Sequence, residues 1–413
     1  MSQKIPSGTG GKKGLRALDP IKLFVLAVSL SAAVYLIIYL IIGNGRFSDI
    51  FFKRCADFFM DFFNSIRDAS QGSAVYTERG VIYPPMANLI FLILSRFTPN
   101  VYNDSSFADR FEWSRYFPAM MLVVMFCVAF ALVYFFIIYT KLESRSKYTR
   151  FAFAFLAFFS VPTLYMIERG NMILFCMLAL MVYGFTYNSE SRLHRELGLI
   201  CLAFAFSIKL YPVVFGWLLI SDRRFKDAAR CALYGVLMLL IPSFFFGGPS
   251  CFVWLFNNIF SFSAGSESAL TSIFRFIGLS APAQSILTAL IYVWVLICGI
   301  SFAVSSFIRK QQWKTWVLGF VTILCVPSLT SVYGWAFFMI PMVMLCNKKD
   351  RCASDIVYMI LMTIPFMFLP FRIMFYVPMS TAAVYVMTAA LSIWCVADTV
   401  KDLIKFIKTA HKS

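Results

Sequence analysis

The sequence predicts an all-α polytopic membrane protein, and three observations predict it. The 413-residue chain is 60% hydrophobic and only 14% charged, whereas a soluble domain is about 45–50% apolar and about 25% charged. Apolar runs of membrane-crossing length recur along the whole chain. Short basic segments separate them, among them KKGLR, KLESRSKYTR, SRLHRE, DRRFKDAAR, RKQQWK, NKKDR and KDLIKFIKTAHK. Basic loops on one side of alternating spans are the positive-inside pattern. The net charge of +17 therefore reads as a topology signal with some contact to anionic membrane lipids, and no nucleic-acid partner is expected.

The elements follow in order. Residues 1–21 form a basic cytoplasmic tail. The apolar run Leu23 to Ile42 exceeds the roughly 7–15-residue core of a signal peptide and reads as a retained first span. Further spans are expected at 116–140, 150–166, 171–188, 231–247, 284–308, 314–330, 334–346, 355–371 and 379–398. The stretch LGLICLAFAFSIKLYPVVFGWLLI, 197–220, lies between two basic runs, so both of its ends face one side. Lys209 and Pro212 interrupt it, which predicts two half-length helices that enter the membrane and return. Ten spans and this hairpin make a bundle of about twelve helices, one transmembrane domain over 22–398. Residues 399–413 form a second basic tail, and both termini are cytoplasmic.

Two long loops, 44–115 and 248–283, then face outside. The first holds eight of the chain's 20 acidic residues. Between 50 and 68, Phe51, Cys55, Phe58, Phe59, Phe62 and Ile66 recur at spacings of three and four. Asp57, Asp61, Asn64 and Asp68 share the opposite face. This predicts an amphipathic helix lying on the membrane surface with its carboxylates up. The residues alone leave open whether that face is merely wet or functional. Tyr83-Pro84-Pro85 sets an extended entry into a short apolar helix running to about residue 97.

Charged residues at membrane depth are costly and mark function. Glu168-Arg169-Gly170-Asn171 lies at an outer turn, Lys209 at the hairpin break, and Arg275 and Arg372 near the outer face. The two histidines, His194 and His411, fall in cytoplasmic segments, which excludes a His-based triad or metal site outside. The cysteines are scattered singly, with no CxxC pair. SGTGGKKG lacks the spacing of a phosphate loop.

Carboxylates and cations over a membrane bundle, without a nucleotide-binding fold, suit the transfer of a group carried on a lipid phosphate. A carboxylate deprotonates the acceptor hydroxyl, and cations stabilise the departing phosphate. Two other readings stand beside this one. A polysaccharide polymerase is expected to carry its large outer loop late in the chain. A transporter is expected to show broken helices in both halves, and the sequence displays one.

Several motifs recur in order: Asp61-Phe62-Phe63, Gly72, Tyr76 and Tyr83-Pro84-Pro85, then Arg169-Gly170-Asn171, then Lys209-Leu210-Tyr211-Pro212 followed by DRRFKDAAR, then Ser266-Glu267-Ser268-Ala269-Leu270 ahead of Arg275. With these the chain resembles glycosyltransferase family 87, membrane enzymes of the mannosyltransferase type, over roughly 20–345. The resemblance implies a GT-C-type bundle, a polyprenyl-phosphate sugar donor that is usually mannose, and inverting displacement at the sugar C1. It also implies Asp61 as the general base.

On that reading Lys209 and Arg169, then Arg275, are expected to bind the donor phosphate. Tyr83 and Tyr211 are expected to stack on or hydrogen-bond the sugar, and Asn171 and Asn64 to contact substrate. The acceptor would be a cell-envelope lipid or glycan at the outer face of the plasma (inner) membrane. The segment 326–335 lacks the histidine common in the family, so either Tyr333 or Trp335 is expected to contact sugar or phosphate instead, or the donor differs from the family's usual one. No cofactor is expected. Asp57 and Asp61, four residues apart, can hold a divalent ion, but Lys and Arg can assist phosphate departure without one.

Overall fold

The structure, a computed structural model, describes residues 19–42, 59–97, 117–143, 146–265, 274–275, 277–308, 311–326, 329, 331–369, 372–374 and 377–410. The described residues are helical apart from turns and one small antiparallel ladder, Arg372–Met374 with Val377–Pro378.

Among the described residues, five helices are long and apolar enough to cross a membrane: Pro20–Ile41, Met121–Lys141, Phe225–Phe246, Ala281–Ile308 and Met379–Ala410. A sixth span arises if Lys147–Phe158 and Val161–Arg169, bent by 47°, count as one. The ten spans and the bundle of about twelve helices expected from the sequence are not confirmed among the described residues, because several expected spans are too short. Ile173–Thr186 has 14 residues, Gln312–Leu324 has 13 and Ala353–Thr363 has 11. A 14-residue helix is about 21 Å long, against a hydrocarbon core of about 30 Å. The last long helix runs unbroken through residue 398 to Ala410.

The basic turns lie together at one end of the bundle. Asn347 takes a hydrogen bond from Glu143 N at 2.8 Å and gives one to the Lys141 carbonyl at 2.7 Å. Arg351 lies 3.6 Å from Asp19. Arg224 bonds the Tyr187 carbonyl, and Gln312 Nε2 reaches Tyr187 Oη at 2.8 Å.

These contacts fix where each helix starts and how far it rises. Arg192–Ile208 rises from the basic end and Tyr211–Ser221 returns to it, with the break at Lys209, which is extended (φ −139°, ψ 129°). The hairpin expected from Lys209 and Pro212 is therefore present. Gln312–Leu324 and Tyr333–Cys346 behave alike, since residues 312 and 347 both sit at the basic end. The two spans expected there, 314–330 and 334–346, form instead a second returning hairpin. Ala353–Thr363 also stops short, for Phe368 N bonds Ser31 Oγ at 3.1 Å, partway along the first helix.

Aromatic packing joins the two hairpins. Phe215 stacks on Trp316 with centroids 4.5 Å apart, and its carbonyl accepts from Tyr183 Oη at 3.1 Å. Gly319 permits this approach, because a Cβ there would lie 2.6 Å from the Phe215 ring. Gly319→Val is expected to destabilise the protein by about 1–3 kcal/mol through overpacking. A lowered thermal midpoint in detergent checks this, and an unchanged midpoint would show that the two hairpins do not pack so closely.

Candidate active site

The site is assembled where short helices end. Asp61 lies in the first turn of the Met60–Ser70 helix, which buries Phe62, Phe63 and Ile66. Phe62 packs edge-on against Phe91 and Phe126, with centroids 5.9 and 5.1 Å away. The apolar face is therefore docked into the bundle and does not lie on the membrane surface as expected. The difference follows from the aromatic rings opposite, which offer closer packing than fluid lipid tails.

The start of this helix is pinned to the 168–170 turn. Phe59 sits in the left-handed region (φ 53°) and donates its N–H to the Glu168 carbonyl at 2.7 Å. Gly170 ends the Val161–Arg169 helix at φ 62°, and a Cβ there would lie 2.8 Å from Phe62 Cβ. The position demands glycine twice over, for its backbone angle and for close approach.

That docking brings Arg169 and Asn171 onto Asp61. Arg169 Nη2 donates to Asp61 Oδ1 at 2.7 Å and Asn171 Nδ2 to Oδ2 at 2.7 Å. The same Asn171 amide reaches Tyr83 Oη at 3.0 Å. Its Oδ1 accepts from Ile173 N at 3.0 Å, a local side-chain to backbone bond that orients the amide.

Tyr83 is held by a second network. Tyr76 Oη donates to the Tyr83 carbonyl at 2.9 Å, and Asn88 Nδ2 donates to Tyr76 Oη at 2.9 Å. Asn258 bonds the carbonyls of Tyr76 and Val81 at 2.9 and 3.2 Å. Burial holds the Tyr83 phenol well above its ordinary range, reinforced by the nearby Asp61 charge. The hydroxyl is therefore neutral. It accepts from Asn171 and keeps a proton to donate.

The hairpin tips complete the cluster. Lys209 Nζ lies 4.2 Å from the centroid of the Tyr83 ring, a cation–π contact, and within electrostatic reach of Asp61. Tyr211 opens the returning arm and packs edge-on against Phe337. Tyr333 opens the return of the second hairpin and stacks on Tyr165 with centroids 6.0 Å apart. Asp61, Tyr83, Tyr165, Arg169, Lys209, Tyr211 and Tyr333 are each half-buried.

The other predicted residues fare differently. Asn64 lies one turn beyond Asp61, with its side-chain oxygen buried and without a hydrogen-bond partner among the described residues. Asp68 pairs with its neighbour Arg67. Arg275 is exposed. Asp57 and 266–270 lie outside the described residues, so a Asp57–Asp61 ion site has no geometry here. Of the two aromatic candidates, Trp335 is fully buried and donates to the Met362 carbonyl at 3.0 Å, whereas Tyr333 reaches the cluster. Sequence reasoning missed Asn88, Tyr165 and Asn258. Asn in an apolar run was a legible signal for Asn88, in PMANLIFLIL, and for Asn258, in CFVWLFNNIF; Tyr165 carried none.

The family model for glycosyltransferase family 87 matches residues 82–330, more than half of the chain. The chain belongs to glycosyltransferase family 87. No curated protein matches it and no solved structure matches it. The protein is thus a membrane glycosyltransferase, and its second returning hairpin does not make it a transporter. The matched stretch includes Tyr83, Arg169, Asn171, Lys209 and Tyr211, while Asp61 precedes it.

Gly170→Ala tests the docking. Left-handed strain and the clash with Phe62 are expected to cost about 1–3 kcal/mol. Sugar transfer should fall further than stability, because Arg169 and Asn171 flank the strained residue. Full transfer activity in a folded Gly170→Ala protein would show that the turn does not set the site.

Proposed function

We propose that this glycosyltransferase moves a sugar, a hexose such as mannose, from a polyprenyl-phosphate donor to a hydroxyl of a cell-envelope lipid or glycan. The reaction takes place on the extracytoplasmic face of the plasma membrane, with both termini cytoplasmic. One observation carries the reading: the Asp61 carboxylate is held by Arg169 and Asn171, with the Lys209 ammonium across the Tyr83 ring.

The chemistry follows from these groups. The acceptor hydroxyl oxygen attacks C1 of the sugar and its proton passes to Asp61. The C1–O bond to phosphate breaks with inversion, and the electron pair leaves with the phosphate. A phosphate needs no general acid to depart, unlike the poorer leaving group of a glycosidase. Lys209 and Arg169 are the cations suited to take up the departing charge.

Arg169 thereby has two roles. Its guanidinium donates to Asp61 Oδ1. Once a phosphate draws the guanidinium away, that oxygen is free to accept the acceptor's proton, so donor binding readies the base. Tyr83 and Tyr211 offer ring faces and hydroxyls to the sugar, and Tyr333 stands in the same cluster.

Transfer from a panel of radiolabelled polyprenyl-phosphate sugars to extracted lipid and glycan tests the reading. Asp61→Asn is expected to lower kcat by about 10²–10⁴-fold, the usual worth of a general base, with little change in donor KM. Lys209→Met should instead raise the donor KM. Near-normal turnover by folded Asp61→Asn protein would remove Asp61 from the mechanism.

A further inference from the structure

The hairpin that carries Lys209 at its tip has a second feature along its outer side. A groove of about 470 Å³ runs between the hairpin and the Phe225–Ser243 helix, and its lining is almost wholly apolar. Ala203 and Phe206 come from the rising arm, Val213 and Ile220 from the returning arm, and Ala232 and Gly235 from the neighbouring helix. Val213 and Ile220 are exposed, so the groove opens towards lipid.

The turn that joins the groove's two walls closes its foot. Ile220 and Ala228 both line the groove, and Ser221, Asp222, Arg223 and Arg224 between them line, with Asn188 and Phe307, a neighbouring open polar mouth of about 500 Å³. Within this turn Arg224 faces inward, bonding Asp227 and the Tyr187 carbonyl. Both carboxylate oxygens of Asp222 are buried. Arg223 and Lys226 are exposed, so the surface offered at the foot is cationic. Arg223 also holds φ 55°; its N–H bonds the Ile220 carbonyl and the Arg224 N–H bonds the Leu219 carbonyl, at 2.9 Å each, so the left-handed residue caps the Trp217–Ser221 helix and turns its own side chain outward.

We propose that the groove and the turn beneath it bind one anionic phospholipid from the leaflet at the basic end of the bundle. The phosphate sits against Arg223 and Lys226, and an acyl chain runs up the groove. Basic pockets between membrane helices favour such headgroups, at about 1 kcal/mol for each Lys or Arg near the surface. The apolar recess takes the chain because an empty void there forfeits dispersion contacts.

The groove's upper end approaches the hairpin tip, so the prenyl chain of a lipid-linked donor is the competing occupant. The cations favour the foot as the point of entry. Lys209 is already engaged over the Tyr83 ring, and the Pro85–Ser95 helix of the Asp61 side packs against both helices that wall the groove. A lipid held here would brace the hairpin whose tip carries Lys209 and Tyr211.

The test uses full-length protein purified in detergent, with bound lipid read by native mass spectrometry and thermal midpoints read during titration. The titrants are phosphatidylglycerol, phosphatidylcholine and a polyprenyl phosphate. Phosphatidylglycerol is expected to co-purify and to raise the midpoint where phosphatidylcholine does not. Arg223→Gly combined with Lys226→Gln should weaken phosphatidylglycerol about tenfold or more. Glycine accepts the left-handed backbone, so that loss reports charge and not strain. Ala232→Phe, which fills the groove from an exposed position, should lower the affinity too.

Equal shifts with phosphatidylcholine, or an unaffected double variant, would overturn the proposal. Displacement of phosphatidylglycerol by polyprenyl phosphate, with Ala232→Phe weakening only the latter, would assign the groove to the donor chain. None of these readouts involves sugar transfer, so the lipid site and the donor chemistry fail separately.

Discussion

The ion pair between Asp61 and Arg169 is the contact on which the site depends. It joins residues 108 positions apart in sequence, in side chains only 20% and 28% exposed. A carboxylate sunk to that depth costs several kcal/mol unless a cation and hydrogen bonds meet it. Arg169 supplies the cation and Asn171 the second oxygen's partner. Both can do so only because Gly170 lets the turn lie against Phe62. The electrostatic requirement and the packing requirement thus meet in a single turn, and the same arrangement presents a carboxylate and a guanidinium side by side for chemistry.

Helix length decides where that chemistry sits. The long helices are long and apolar enough to cross the full hydrocarbon thickness, while the arms of both returning hairpins and the Ile173–Thr186 helix are shorter. Their ends, Asn171, Lys209, Tyr211 and Tyr333, gather around Asp61 within the depth of the bundle. Non-helical backbone at such depth survives only when buried in protein or facing a cavity. The extended Lys209 and the turn at Gly170 both meet that condition.

The first hairpin is the element that links the two ends of the bundle. Its tip carries Lys209 into the Asp61 cluster, and its foot carries a cationic turn beneath an apolar groove. Phe215 and Trp316 couple it to the second hairpin, whose tip brings Tyr333. Rigid packing of short elements in this way holds the reacting groups in place at little cost when substrate binds.

The sequence alone determined that the chain is a helical membrane protein. Apolar runs and basic turns are local properties, and burial in lipid acts on each run separately. The break at Lys209, the helix opening at Pro85 and the Arg169-Gly170-Asn171 turn were legible for the same reason, since proline, glycine and an intramembrane cation act on their own surroundings. The number of crossings was not legible, because a short apolar helix that returns and one that crosses share one composition. Only tertiary structure decided that Gln312–Leu324 and Tyr333–Cys346 rise from and return to one end, that the Met60–Ser70 helix docks on Phe91 and Phe126, that Tyr333 and not Trp335 lies at the Asp61 cluster, and that Asn88 and Asn258 hold Tyr76 and Tyr83. Those outcomes depend on partners far away in sequence, and the free energy of a contact belongs to the pair and not to either residue alone.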